Sequence, residues 1–572
     1  MKFKRVLMVL GLLFALPVLG AELRLSLRQA IELALINNPE LRSQRLDLEI
    51  ARSGVDQVKS NYDPYVQVQS NFSHSEQPTS QPAFGTENES MSINLTTGSM
   101  IPSGGNVSVN FQNSQQKSNS SFTTLNPSYN VSLGLNFSQP ILKGGLMDWR
   151  KDEIKKKMND YEQSEINLKS KALEIASRVE DAYWSLVRAR REYEINQRSL
   201  ERAESMLKLT EAQVRAGLNP QVALLQSQSN LESVRASLLR GEASLRQAEN
   251  NLKQLLYFQT EEELLETKII PMDQPSIDQY QFERGKFVET AMLKNYTVER
   301  LYLNLDSMEI SNRQTRNQLF PQLDFNSGFS LAGLAGDSDP STQLVQTGFV
   351  IPNPYPTPEP YMLEYSTMTQ PESDQEGDYF DAANGLLEGN NLSYQIGLTL
   401  KVPIGNRSAK SQVRMADYNL QKTELELARQ RRMIRFNLDS LMADFDSAYK
   451  AWEASKLARE LAEKSYQIEK RKYELGMSTQ YQLLDQEQQL KEAEKNEISA
   501  LIEYNKAIGK IKRAEQGYLE GGGISGISIP GAGISSISTA GLSSMKGMSL
   551  SSGMLPSGVD LNMLKSLGIN IP

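Results

Sequence analysis

Residues 131–140 read VSLGLNFSQP and residues 396–403 read IGLTLKVP. In each, apolar side chains alternate with small or polar ones until a proline ends the run. Val131, Leu133, Leu135 and Phe137 fall on one face, and Ser132, Gly134 and Asn136 on the other. Strict alternation marks a strand with two unlike faces. Proline stops it because it has no N–H for the ladder. The prolines Pro140 and Pro403 are 263 residues apart, Pro64 and Pro321 are 257 apart, and Gly217 and Gly476 are 259 apart. The chain is written twice. A solenoid unit would repeat every ~20–50 residues, so this is a duplicated half-molecule. Each half runs helix, strands, proline, very long helix, glycine turn, shorter helix.

The alternation recurs. The first half has four such segments, about 64–73, 90–98, 105–112 and 129–138, and the second has two, around Leu323–Phe329 and Ile396–Val402. Each is near the ~10 residues that a tilted membrane strand needs. Their polar faces carry Asn, Gln, Ser and Gly rather than many charges, as a water-filled lumen would. The competing reading is a soluble sandwich with one wet face. Six strands are too few to close a membrane barrel, since single-chain barrels start near eight. An open edge in lipid would leave backbone groups unsatisfied. Several copies must therefore pool their strands. Residues 91–112 form an extra hairpin with Met100–Gly105 as its turn, and the sequence leaves open whether it enlarges the barrel or folds elsewhere.

Helices follow the strands. Residues 26–60 predict a helix interrupted at Asn37-Asn38-Pro39, and 286–318 its counterpart. Residues 148–215 contain neither proline nor glycine, and 407–475 match them. At 1.5 Å per residue each would be about 100 Å long. Apolar positions recur at heptad-like spacing, as in Ala172, Ile175, Val179, Ala182 and Leu186, and in Leu438, Leu441, Phe445, Ala448 and Trp452. Glycine turns at 217–220 and 476–479 then send the chain back along 221–256 and 480–516. These are two antiparallel helical hairpins.

Composition narrows the compartment. Lys2, Lys4 and Arg5 precede an apolar run, Val6–Leu19, with Gly20 and Ala21 after it, so residues 1–21 read as a signal peptide. There is no cysteine, which excludes disulfides and thiolate metal sites. The single histidine, His74, leaves little room for histidine-based catalysis or metal binding. Neither a metal nor any other cofactor is expected. The formal charge of -8 gives no reason to expect nucleic-acid binding. No nucleophile or phosphate motif has supporting context, so an enzyme is not expected.

The domains expected are the signal peptide, a first repeat at 22–257, a linker or equatorial segment at 258–285, a second repeat at 286–516 and a tail at 517–572. The tail is rich in Gly, Ser, Ile and Met, and is expected to be poorly ordered and dispensable for assembly. Residues 332–390 hold ten acidic residues and no Lys or Arg, and read as an irregular, exposed barrel loop. Either it is a solvated acidic loop or it binds a cation or a receptor.

With its landmarks in this order, the chain resembles the TolC-type outer-membrane efflux protein family over about residues 22–516. The resemblance rests on the Ala30-to-Pro39 helix, the junctions Pro140 and Pro403, the tip glycines, and the pairs Leu224–Leu225 and Leu483–Leu484. It implies an α+β membrane protein: a trimeric outer-membrane β-barrel continued by a long α-helical coiled-coil barrel, with two structural repeats per protomer. The protein would be a passive conduit surrounded by outer-membrane lipid and reaching into the periplasm. A periplasmic adaptor protein and an inner-membrane transporter would be its partners. Gly217, Leu218, Gly476 and Met477 would contact the adaptor, although glycines end helices in any case.

The resemblance also places the periplasmic constriction. Gln482 and Asp485 stand six and nine residues after Gly476, where the family has aspartates, and Tyr473 matches its tyrosine. The family's arginine and its acidic partner are replaced by Ser478 and Ala223, so the charged lock of the gate is expected to be absent. A trimeric surface adhesin or structural coiled coil is the rival reading, and it leaves the matched prolines and glycines unaccounted for.

Overall fold

The computed structural model describes residues 22–80, 84–120, 123–145, 149–257, 267–338, 342–354, 361–369, 373–389 and 391–516. The expected signal peptide and the tail lie outside the described residues, as does 258–266 of the linker.

Two compact units are present, and each draws on both repeats. The first comprises residues 43–170 and 295–436. Its centre is a six-stranded antiparallel sheet of β2 (Tyr65–Glu76), β3 (Glu87–Met100), β4 (Asn106–Ser118), β5 (Leu125–Pro140), β7 (Gln322–Ser338) and β10 (Asn391–Lys401). The spatial order is β10-β7-β5-β4-β3-β2, so the repeats meet where β5 pairs with β7. The hairpin that the sequence left unplaced belongs to this sheet. Its turn closes through Ile101 N–H to the Gly105 carbonyl at 3.0 Å, with Gly104 at φ +87°. At 11 to 17 residues the strands are longer than their alternating cores suggested.

Register makes the two faces explicit. Val68, Leu95, Phe111, Leu133, Leu331 and Leu392 are successive partners, one per strand, and share one face. Gln67, Thr96, Asn110, Gly134, Ser330 and Ser393 form the adjacent row on the other. A one-residue slip at any pair would have mixed the faces.

The acidic stretch 332–390 is not the irregular loop that its composition suggested. Its described part holds the end of β7, a separate hairpin of β8 (Thr342–Pro352) and β9 (Tyr361–Thr369), and a helix, Tyr379–Glu388. Asp378 and Asp381 form a capping box at the helix start, and Gly389 ends it at φ +72°. The acids therefore serve in part as helix caps, which charge counting does not reveal. Ala382 and Leu386 of this helix pack on Val131 and Ala335 of the apolar face. A Cβ on Gly333 would lie 1.9 Å from the Ala382 carbonyl oxygen, so only glycine permits this approach.

The second unit comprises the described residues up to 42, together with 171–294 and those from 437 onward. β1 (Glu22–Leu25) pairs in parallel with β6 (Lys268–Pro271). The buried Tyr183 hydroxyl lies 3.1 Å from the Leu25 carbonyl and 2.9 Å from the Asp273 carboxylate, and burial raises its pKa. Helices run in the predicted order: α1 (Leu27–Asn37), α2 (Pro39–Lys59), α3 (Trp149–Arg215), α4 (Gln221–Leu256), α5 (Arg284–Leu293), α6 (Tyr296–Asn317), α7 (the Tyr379–Glu388 helix), α8 (Arg407–Glu474) and α9 (Gln480–Gln516). Several of them cross from one unit to the other. Most of the predicted seam is inside: Ala172, Ile175, Val179 and Leu186 are buried on α3, and Leu438, Phe445 and Trp452 on α8, while Ala182, Leu441 and Ala448 are half-buried.

Candidate functional site

The two hairpin tips are built alike. At the first, Gly217 N–H donates to the Val214 carbonyl at 3.0 Å and Leu218 N–H to the Gln213 carbonyl at 2.8 Å. At the second, Gly476 N–H donates to Tyr473 at 3.0 Å and Met477 N–H to Lys472 at 2.8 Å. Both glycines are left-handed, at φ +72° and +74°. This is the Schellman ending, in which glycine accepts the conformation that a side chain resists. The motif often tucks its next residue against the helix, but here Leu218 and Met477 are 75% and 71% exposed. Each tip thus presents an uncovered apolar side chain.

The return helices start differently. Pro220 precedes α4 with no side-chain cap. Before α9, Gln482 N–H donates to the Thr479 hydroxyl at 3.4 Å, and Thr479 N–H donates back to Gln482 Oε1 at 3.2 Å. This reciprocal pair is a capping box. Gln482 is held by the helix start, a structural task that the Thr479-x-x-Gln482 spacing announces. Asp485 is exposed and accepts from Gln489 Nε2 at 2.8 Å, one turn along.

Tyr473 is buried among Tyr466, Leu483 and Leu490. Its hydroxyl donates to Gln213 Oε1 at 3.0 Å and accepts from Asn219 Nδ2 at 3.3 Å, and Asn219 also bonds Gln213 at 2.8 Å. A second tie joins Gln480 Nε2 to the Ser227 hydroxyl, which donates to Thr210 at 3.1 Å. Both ties link the first hairpin to the second without charge. Ser478 bonds Glu469 of its own hairpin, and Ala223 is buried. Neither position carries a charge of its own.

Further along, Arg202 Nε meets Glu487 Oε1 at 3.1 Å and reaches towards Glu494 at 3.8 Å. Burial pushes the Glu487 carboxyl up in pKa against the pull of Arg202. Sequence reading singled out Tyr473 but missed Gln213, Asn219, Ser227 and Arg202. Gln213 and Asn219 are neutral polar residues beside the first tip, a weak signal, and nothing local marks Ser227 or Arg202.

At the first strand-to-helix junction Pro140 does not stop the strand as its missing N–H suggested, because the residues after it still donate to the neighbouring chain segment. Pairing continues past Pro140, with Ile141 N–H to the Leu323 carbonyl at 2.7 Å and Lys143 N–H to Pro321 at 3.2 Å. Gly144 then turns at φ +74° and donates to Asn317 Oδ1 at 2.7 Å. After Pro403, Gly405 and Asn406 turn at φ +81° and +40° before α8 begins at Arg407.

The fold is similar to that of several solved structures. The chain is similar to the outer-membrane channel CmeC of Campylobacter jejuni, with TM-score 0.55, 15% identity, and 86% of this chain and 85% of that one covered. It is similar to the outer membrane protein VceC of Vibrio cholerae, with TM-score 0.57, 13% identity, and 86% and 96% covered. For the outer-membrane channel OprN the values are 0.58, 16%, and 86% and 89%. At these identities the likeness is one of fold. No curated protein sequence matches the chain. The outer membrane efflux protein family matches residues 30–256 and again 288–514. That double match favours an export channel over an adhesin, and the family is one of efflux proteins rather than enzymes. The chain therefore belongs to the outer membrane efflux protein family, and its place is the outer membrane.

Proposed function

We propose that three copies of this chain close one barrel in the outer membrane and continue it as a helical tunnel that receives substrates from an inner-membrane transporter. One observation carries the reading. Among the described residues the six-stranded sheet ends in two long unpaired edges, Tyr65–Glu76 and Asn391–Lys401, while much of its apolar face, beyond the part under the Tyr379–Glu388 helix, stays exposed. The open edges are not tolerable in lipid, and an apolar face of this extent is not tolerable in water. The number of strands is even, so the two edge strands run in opposite directions. The edge of one copy can then continue the next copy's sheet with antiparallel pairing. Two copies would give about twelve strands and three about eighteen, both within the known range. The count of three rests on the family resemblance.

The exposed Leu218 and Met477 suit docking by a periplasmic adaptor, because an apolar tip in water gains from being covered. Three Asp485 carboxylates would make an acidic ring at the constriction. Asp485→Ala should lower cation selectivity and weaken divalent block in planar bilayers. An unchanged reversal potential and unchanged block would take Asp485 off the pore.

The assembly is tested with cysteines, which the native chain lacks. Gln69→Cys on one edge and Gln395→Cys on the other, oxidised in membranes, should yield cross-linked species up to the trimer. A folded monomer by native mass measurement, with no cross-link at these or neighbouring edge positions, would overturn the reading.

A further inference from the structure

We propose that His74, Glu76 and Glu87 bind one divalent transition-metal ion, with zinc as the reference probe, at the turn end of the β2–β3 hairpin. His74 is the chain's one histidine, and composition alone gave it no metal partner because the other two donors are carboxylates. Its Nε2 lies 3.4 Å from Glu76 Oε1 and its Nδ1 lies 3.8 Å from Glu87 Oε1. One donor atom from each residue can be chosen so that all lie within 4.8 Å of one another. Bonds of ~2.1 Å to a metal need donors about 3–3.5 Å apart. An imidazole gives one nitrogen to one ion, so one of the two carboxylates must turn towards the nitrogen that the other already faces, and both are exposed.

Register supplies a separate reason. Glu76 stands directly opposite Glu87, and His74 stands two residues along on the same face, opposite Glu89. Like charges in direct opposition destabilise a strand pair. Lys117 stands opposite Glu89 on the next strand, so Glu89 has a cationic neighbour by register. The partner of Glu87 on β2 is another carboxylate. A dication turns that repulsion into a bridge.

The backbone beneath is braced. Gln77 N–H donates to the Thr86 carbonyl at 2.8 Å, and Asn119 Oδ1 accepts from Thr86 N–H at 2.8 Å and Glu87 N–H at 2.9 Å.

The donor set narrows the ion. One imidazole with two carboxylates suits zinc, nickel, cobalt or copper(II) and offers no soft sulfur for copper(I). Three protein donors leave positions for water, so binding is exchangeable. The site shares its face with the apolar band, not with the polar rows, because Val66, Val68 and Phe72 have the same parity as His74 and Glu76. It is therefore a clamp on an edge hairpin rather than a station for a transported ion.

The test uses untagged full-length protein in detergent, whose single imidazole is the only histidine for diethyl pyrocarbonate to modify. Zinc chloride should slow that modification about tenfold or more, saturating at one ion per chain, and Glu76→Gln with Glu87→Gln should remove the protection. Isothermal titration should lose one zinc per chain in His74→Ala. Modification in the unaltered protein that is indifferent to millimolar zinc, equal protection in the double variant, or an unchanged zinc count in His74→Ala would each overturn the proposal. All three residues are exposed, so the variants should fold, and an unaltered elution volume checks this.

Discussion

The sheet and the hairpins bury their apolar side chains differently. On the hairpins Ile175, Val179, Leu252 and Ile511 are fully buried, although others, Leu425 and Phe436 among them, stay exposed. On the sheet Val66, Ile396 and Leu398 are 70%, 72% and 66% exposed. The same residue types face opposite ways because the two regions are built for different solvents. Water drives the hairpin side chains inward; in lipid it is the backbone that must be satisfied, and an apolar outer face costs nothing. A mean hydropathy of -0.46 hides this, since only alternate residues of a strand meet lipid. Among the described residues no helix is long and apolar enough to cross a membrane.

The largest loss of stability is expected inside the hairpin unit. The Glu180 carboxylate and Arg513 form a buried ion pair over Gly509, where an added Cβ would lie 2.1 Å from Glu180 Oε1. Glu180→Ala leaves Arg513 buried without this carboxylate and should cost about 3–5 kcal/mol. Hydrogen exchange along Ile502–Ile511 would report it, and unchanged protection there would show that the site is wetter than it looks.

On the sheet the sharper test sets neighbours against each other. Ile396→Arg on the apolar face should cost about 2–4 kcal/mol in a bilayer, and Gln395→Arg, one residue earlier, almost nothing. Urea unfolding from lipid vesicles measures both. A soluble sandwich core would also penalise Ile396→Arg, but it would do so in detergent-free buffer, where this protein should instead aggregate.

Gly333→Ala should cost about 1–3 kcal/mol by pushing the Ala382 backbone off the sheet. Gly397→Ala, with nothing within 4 Å of its added Cβ, should be silent. Limited proteolysis at Tyr379–Glu388 separates the two, and equal resistance would mean that the helix shifts without being released.

The smallest effect is a pH dependence. Arg178 first, then Lys171, hold the Glu40 carboxyl down at about 2, from 4.5. The folded pKa lies below the unfolded one, so the contribution is complete above about 4.5 and is lost as pH falls towards 2. Because the Glu40 side chain is 37% exposed, solvent screening keeps it below about 1 kcal/mol. The unfolding midpoint of Glu40→Gln should fall below the native one at pH 6 and converge with it near pH 2. Parallel curves across that range would remove the ion pair from the account.

What the sequence determined by itself was local. Alternation set the two faces of each strand, Asn38 and Pro39 broke the first helix, and Gly217 and Gly476 ended the long ones. Each of these is decided within a few residues, by side-chain period or by permitted φ, and each is legible in a string. The tertiary structure decided which surfaces meet. It put β5 beside β7, placed 91–112 in the common sheet, seated an acidic-looking stretch as a helix over Gly333, and gave Tyr473 its partners Gln213 and Asn219. Those contacts join residues far apart in the chain, and their free energy depends on simultaneous fit across many pairs. Glu76 and Glu87 meet for the same reason: the pairing of β2 with β3, not the composition of either strand, brings His74 its two carboxylates.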